Sequence, residues 1–261
     1  SMIAWGLGYF GMPHILLRFM AIEDEKKLKL SRRVATIWVV ISLFVAVFIG
    51  VIGYTMSKVG ALEMLTGSNS ETIIVKISAL LSQHGVIFAL LAGVILAGIL
   101  ASTMSTSDSQ LLAASSAVSS DILGAFRKDS SNKNGSMAAA RITLLVISVV
   151  AAFIARNPDS SVFAIVSFAW AGFGAAFGPV VLFSLFWKRT NKWGALAGMV
   201  CGGSMVFIWK YLIRPLGGIW NIYELLPAFL IACAAIVIVS LLTPKPSKEI
   251  EEEFDRVAQM K

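Results

Sequence analysis

Gly98-Ile-Leu-Ala-Ser-Thr-Met-Ser-Thr-Ser-Asp-Ser-Gln110 is the stretch whose reading decides the fold. It extends an apolar run, Gly85 to Ala101, that is already close to the about 20 residues a helix needs to cross a bilayer. From Ser102 to Gln110 every residue except Met104 carries a hydroxyl, a carboxylate or an amide. No proline interrupts the run, and Leu111, Leu112, Ala113 and Ala114 follow, so the helix is expected to continue through the polar patch. Each unsatisfied polar group at membrane depth costs several kcal/mol. These side chains therefore have to face a protein interior or a water-filled cavity. An acidic residue inside a span, here Asp108, is by default a functional position.

The rest of the chain fits that setting. Of 261 residues, 57% are hydrophobic and only 14% charged, with a mean hydropathy of +0.80. A soluble domain carries about 25% charged residues. The class is therefore an all-α polytopic membrane protein, surrounded by membrane lipid. The formal charge of +7 belongs in loops on one side of the bilayer, not on a nucleic-acid surface, and no nucleic-acid partner is expected. Cys201 and Cys233 fall inside apolar runs and read as buried packing residues, with no disulfide or metal framework. Met2 to Ala21 lacks a basic leader and a small-residue cleavage site, so it is not a signal peptide. The chain is expected to begin inside a transmembrane segment, as a fragment of a longer protein.

Seven segments are long enough to span: Met2–Ala21, Val34–Met56, Gly85–Val118, Met137–Ile154, Ser161–Trp187, Trp193–Ile213 and Tyr223–Leu242. The first holds Gly6, Gly8, Gly11 and Pro13 and is expected to be kinked or unwound. Between the second and third, Glu71–Leu81 has helical periodicity and is expected to lie at the membrane surface. With alternating sides, 17 of the 22 Lys and Arg fall on the side of the Glu23–Arg33 loop and the tail. Lys58, Lys76, Arg156, Lys210 and Arg214 fall on the other. That bias places the loop side and the C-terminal tail in the cytoplasm. The tail, with its Glu249–Arg256 charge run, reads as solvated and helical.

Three groups of residues carry candidate chemistry. Ser105 and Thr106, with small hydroxyls and nearby carbonyls, suit a hard monovalent cation such as Na⁺, because no carboxylate cluster is present to build a divalent cage. The opposing reading is that these hydroxyls bond back to carbonyls one turn earlier and let helices approach. Trp5-Gly-Leu-Gly-Tyr-Phe-Gly-Met-Pro-His14 sets Trp5 and Tyr9 four apart beside helix-weakening glycines and Pro13. Broken helices of this kind expose backbone dipoles at transporter substrate sites, although an interfacial aromatic belt fits the same residues. Ala169–Pro179 is glycine-rich, but its spacing is wrong for a dinucleotide loop and no strand precedes it. Close helix packing or a gating point at Gly174 is the better reading. Gly194, Gly198 and Gly202 recur every four residues as a packing face. No nucleophile–base pair is present, so the chain is not expected to be an enzyme.

Trp5–His14 followed by Arg18-Phe-Met20, together with Met104-Ser-Thr106, Gln110-Leu-Leu112 and the Ala169–Pro179 run before Trp187, resembles the sodium:solute symporter family, in particular its proline carriers. The resemblance implies an inverted-repeat (LeuT-like) transporter fold. Residues 1–188 would be the second five-helix repeat, 189–243 two peripheral helices and 244–261 a charged cytoplasmic tail. It implies Na⁺ as coupling ion, held by the hydroxyls of Ser105 and Thr106 and the carbonyl of Ser102. It places Trp5, Tyr9 and Pro13 on the substrate side and matches Arg18 to a basic residue at the cytoplasmic end; Asp108, Arg18 and Gly174 are the candidate coupling or gating positions. The implied activity is Na⁺-coupled symport of L-proline by alternating access in the cell membrane, with the N-terminal repeat of the same transporter as missing partner. Another small amino acid or carboxylate is the alternative cargo, and a channel a more distant one. The family's usual Gln is replaced by Met12, and Ser107-Asp108-Ser109 departs from the common motif.

Overall fold

A computed structural model describes residues 2–122, 133–156 and 161–259. They form ten α-helices joined by short 3₁₀ and π turns: α1 (Met2–Gly8), α2 (Pro13–Met20), α3 (Leu28–Lys58), α4 (Ile73–Ser82), α5 (Val86–Ser116), α6 (Lys133–Ile154), α7 (Val162–Phe186), α8 (Lys192–Ile208), α9 (Leu225–Leu242) and α10 (Lys248–Gln259). Among the described residues, six helices are long and apolar enough to cross a bilayer: α3, α5, α6, α7, α8 and α9. This is the multi-pass, all-helical architecture that the composition requires.

The seventh expected span, Met2–Ala21, is broken. A 3₁₀ turn over Tyr9–Gly11 follows α1, Met12 is extended at φ −85°, ψ 113°, and Pro13 opens α2. The cause is local. The residue before a proline is pushed out of the helical region, and proline is well suited to the first helical position, where its missing N–H costs nothing. The Met12 carbonyl then starts the new helix, accepting from Ile15 and Leu16 at 3.0 and 3.1 Å.

The chain divides into two compact units. One comprises Ser1–Ala21 with Phe163–Lys261, the other Ile22–Val162.

In the first unit, α8 lies against α9 through the predicted glycine face. A Cβ built on Gly194 would sit on the Ser240 hydroxyl, one on Gly198 at 2.4 Å from Ile236, and one on Gly202 at 2.2 Å from the carbonyl oxygen of Ala175 on α7. That last contact has a reason in the sequence. Pro179 lies inside α7, has no N–H, and so leaves the carbonyl four residues earlier without its helical donor. That carbonyl belongs to Ala175, and only a residue without a side chain can approach it so closely. The core around this junction is Met12, Trp170, Ala171, Ala175, Val206, Leu225 and Ala228. Cys201, expected to be buried, is exposed on α8. The neighbouring glycines take the packed face, which turns Cys201 outward.

In the second unit, α4 packs on α3, where a Cβ at Gly53 would meet Ile73 at 2.3 Å. The α3–α4 connection is held by an exposed Glu63–Lys76 ion pair at 2.7 Å. The carboxylate of Glu71 accepts the Ser161 hydroxyl and the Val162 N–H. The Ser115 hydroxyl on α5 donates to the Ala140 carbonyl of α6 at 2.8 Å. The polar sequence Asp121–Ser136 between the third and fourth expected spans gives way to helix early, since α6 begins at Lys133; residues 123–132 lie outside the described ones.

Candidate functional site

The candidate residues fall into two sets, one in each unit. In the second unit, α5 runs unbroken through Ser102–Gln110. Thr103 Oγ1 donates to the Ile99 carbonyl at 2.9 Å, Thr106 Oγ1 to the Ser102 carbonyl at 3.2 Å and Ser109 Oγ to the Ser105 carbonyl at 3.0 Å. Each bond runs one turn back along the helix, which satisfies a hydroxyl locally while it stays at the surface. Ser102, Ser105, Thr106 and Asp108 are all exposed, and among the described residues Asp108 forms no ion pair. Thr106 Oγ1 and the Ser102 carbonyl oxygen thus lie side by side, with Ser105 the neighbouring residue on the same exposed stretch.

In the first unit, α1 and the turn after it are seated on α7. The Trp170 indole Nε1 donates to the Trp5 carbonyl at 3.1 Å. The Trp170 ring lies 5.3 Å from the Trp5 ring and 4.9 Å from Tyr9, the latter edge-on. Trp5 also stacks on Phe163 at 5.7 Å. The four-residue spacing of Trp5 and Tyr9 therefore does bring them together, around a third aromatic. A Cβ on Gly8 would collide with the Trp170 ring, one on Gly11 would sit 2.3 Å from the Phe173 carbonyl oxygen, and one on Gly174 would lie 2.6 Å from the Gly8 Cα. Gly174 is thus the point where two backbones touch. Pro13 is exposed at the start of α2, and Arg18 is exposed in its last turn. Met12 is buried in the core beneath them, an apolar environment that suits a thioether better than an amide.

Sequence reasoning missed Trp170 as the hub of this cluster. The signal was present: Trp170, Gly174 and Gly178 recur at intervals of four, which puts one large and two small residues on a single face. It also missed the bond from the Tyr223 hydroxyl to the Ser167 carbonyl, 2.6 Å long, and that from the Ser167 hydroxyl to the Phe163 carbonyl, also 2.6 Å. Nothing in the pattern around Tyr223 marks it apart from an interfacial tyrosine.

Among the described residues, six helices long and apolar enough to cross a bilayer mark a polytopic membrane protein, with a further helix broken at an aromatic-glycine segment and a hydroxyl-rich patch on α5. Residues 1–202 match the sodium:solute symporter family, and the chain belongs to that family. It is similar to the sodium/proline symporter of Salmonella typhimurium, 40% identical over 97% of this chain and 49% of that protein. It is 41% identical to the sodium/proline symporter of Haemophilus influenzae over 98% of this chain and 50% of the relative. The osmoregulated proline transporter OpuE of Bacillus subtilis is 40% identical over 95% and 48%. These relatives are named as symporters and transporters, not as enzymes. The chain spans about half the length of the curated relatives it matches. No solved structure matches it.

Proposed function

We propose that the chain works as the C-terminal half of a Na⁺-coupled symporter for L-proline in the cell membrane, with its tail on the cytoplasmic side. The observation that carries this reading is the similarity, over nearly all of this chain, to transporters named for sodium and proline. The geometry adds support. The Ser102 carbonyl and the Thr106 hydroxyl are neighbours at 3.2 Å, and Ser105 follows on the same exposed stretch; all three offer uncharged hard oxygens, the ligand type of hard cations. Trp5, Tyr9 and Pro13 surround the helix break, where backbone groups are available to a small zwitterion.

In this reading residues 1–188 are the second repeat of an inverted-repeat fold, 189–243 two peripheral helices and 244–261 the tail. The exposed polar face of α5 is completed by the first repeat of the same transporter. Na⁺ favours the conformation that binds substrate, and substrate strengthens Na⁺ binding by the same factor. Alternating access moves both across. Gly174, Arg18 and Asp108 are the proposed coupling or gating positions: Gly174 because two backbones meet there, Arg18 and Asp108 because each is a charge with no partner among the described residues.

Uptake of labelled proline by the transporter that contains this chain, with Na⁺ or with choline outside, tests the proposal. Uptake is expected only with Na⁺. Ser105→Ala and Thr106→Ala should each raise the Na⁺ needed for half-maximal uptake by about tenfold, which is about 1.4 kcal/mol. Unchanged Na⁺ dependence in both variants removes the ion site from α5. Equal uptake in choline removes the coupling. Vesicles holding residues 1–261 alone are expected to take up no proline.

A further inference from the structure

The tail helix α10 plays no part in that cycle, yet its setting is specific. It follows α9 after only five residues, Thr243–Ser247. Those residues are tied to the α7–α8 loop. Arg189 donates to the Thr243 carbonyl at 2.8 Å, and the Asn191 amide donates to the Thr243 hydroxyl at 2.7 Å and the Pro244 carbonyl at 2.8 Å. Asn191 Oδ1 in turn accepts the Gly194 N–H and caps α8. The end of α7, the start of α8 and the end of α9 are therefore fixed at one level. Trp187 and Trp193 flank that loop, and Lys192 lies over the Trp193 ring, an arrangement typical of a membrane–water boundary.

A further contact holds α10 itself there. Lys188, two residues beyond the end of α7, pairs with Asp255 of α10. The helix is sharply two-sided. Ile250, Phe254 and Val257 follow i, i+4, i+7 spacing and line one edge. Ile250 is 56% and Val257 53% exposed and Phe254 between them is half-buried, so the first unit covers that edge only in part. Glu249, Glu252, Asp255 and Arg256 occupy the other side. An apolar edge pinned at the level where three spans end has lipid as its nearest cover.

We propose that α10 is an interfacial helix. It lies in the plane of the membrane surface with Ile250, Phe254 and Val257 sunk into the headgroup–acyl boundary, and Lys188 holds it to the α7–α8 loop. Its five acidic residues are set against Lys248 and Arg256 on the helix and Lys188, Arg189, Lys192 and Lys245 beside it, so the polar side is close to charge balance and a neutral lipid surface suffices to hold it.

Single cysteines at positions 249 to 258, in a Cys201→Ser, Cys233→Ser background, are to be spin-labelled and reconstituted in phosphatidylcholine vesicles. Accessibility is then read with oxygen, which concentrates in lipid, and with a water-soluble nickel chelate. The oxygen-to-nickel ratio should rise and fall with a helical period and peak several-fold at 250, 254 and 257. Uniform access to nickel along the helix overturns the proposal, because the tail is then solvated all round. Labels at 250, 254 and 257 shielded from both reagents also overturn it, because protein and not lipid then covers the edge. With the native cysteines retained, Ile250→Gln combined with Val257→Gln, which adds no cleavage site, should speed cleavage of the tail at its native glutamates by a glutamate-specific protease several-fold in the same vesicles. An unchanged rate counts against the proposal.

Discussion

Helices α7 and α8 of the first unit and α5 of the second use small residues for opposite ends. In the first, glycines at Gly174, Gly194, Gly198 and Gly202 are filled contacts, each with a neighbouring atom where a Cβ would go. In the second, Gly93 and Gly98 on α5 have nothing within 4 Å, and the small residues after them are hydroxyls on an exposed face. Burial follows the same division: 39% of the apolar window of α9 is buried, against 6% of that of α5. Inside a membrane, lipid is as apolar as leucine, so helices associate through close backbone approach and polar contacts. The first unit spends its small residues on approach within itself. The second displays a polar helix face whose hydroxyls bond back along their own helix.

The sharpest way to break this contrast is to add side chains. Gly202→Val drives a branched side chain into the Ala175 carbonyl, a backbone atom that cannot swing aside. The expected loss is about 3 kcal/mol or more, at the upper end for overpacking, read as a lower unfolding temperature in detergent. Gly203→Ala, one residue on and 3.9 Å from its nearest neighbour, should change stability by less than about 0.5 kcal/mol. Gly98→Ala on α5 should likewise not destabilise. A large loss at Gly98 would show that the α5 surface is packed in the assembled transporter as tightly as α8.

A smaller effect tests the aromatic hub. Trp170→Phe keeps a ring beside Trp5 and Tyr9 but removes the donor to the Trp5 carbonyl. The expected cost is about 1–2 kcal/mol, from one lost hydrogen bond and some lost ring area. Tyr223→Phe deletes only the bond to the Ser167 carbonyl and should cost about 1 kcal/mol. If Trp170→Phe proves neutral in stability but lowers proline affinity, the hub serves the substrate and not the seam between α1 and α7.

How far the sequence anticipated this structure depended on the kind of signal. Helix α5 was legible through its polar patch because proline and glycine, not polarity, break helices. The break at Met12–Pro13 was legible because a proline constrains its own φ and the residue before it. The Gly194–Gly202 face was legible because a four-residue period survives in one dimension. Trp170 was not, because a tryptophan in an apolar run carries no mark of which face it serves until α1 is set against it. Cys201 was misread for the same reason: hydropathy separates water from non-water, and both lipid and protein interior count as non-water. The relation of Ser102, Ser105 and Thr106 to an ion was legible only as a choice between back-bonding and coordination, and the helix shows back-bonding from Thr106 to the Ser102 carbonyl and from Ser109 to the Ser105 carbonyl.

The smallest effect concerns what holds the second unit. Glu63 and Lys76 form an exposed pair, and the ammonium hydrogen bond, with its charge, holds the Glu63 carboxyl below its ordinary value of 4.5. A carboxylate depressed in the fold contributes stability that is present above the ordinary value and lost as pH falls through the lower one. Both side chains are solvated and screened, so the contribution is minor. Lys76→Gln should return Glu63 towards 4.5, seen by carboxylate infrared bands or NMR. It should also remove the acid-side rise in amide exchange across the 59–66 connection while leaving the melting temperature unchanged. Packing of Gly53 beneath Ile73, which does not titrate, would then be what seats α4 on α3. A melting shift as large as that of Gly202→Val would reverse the contrast between the units, since charge rather than close approach would be holding this helix pair together.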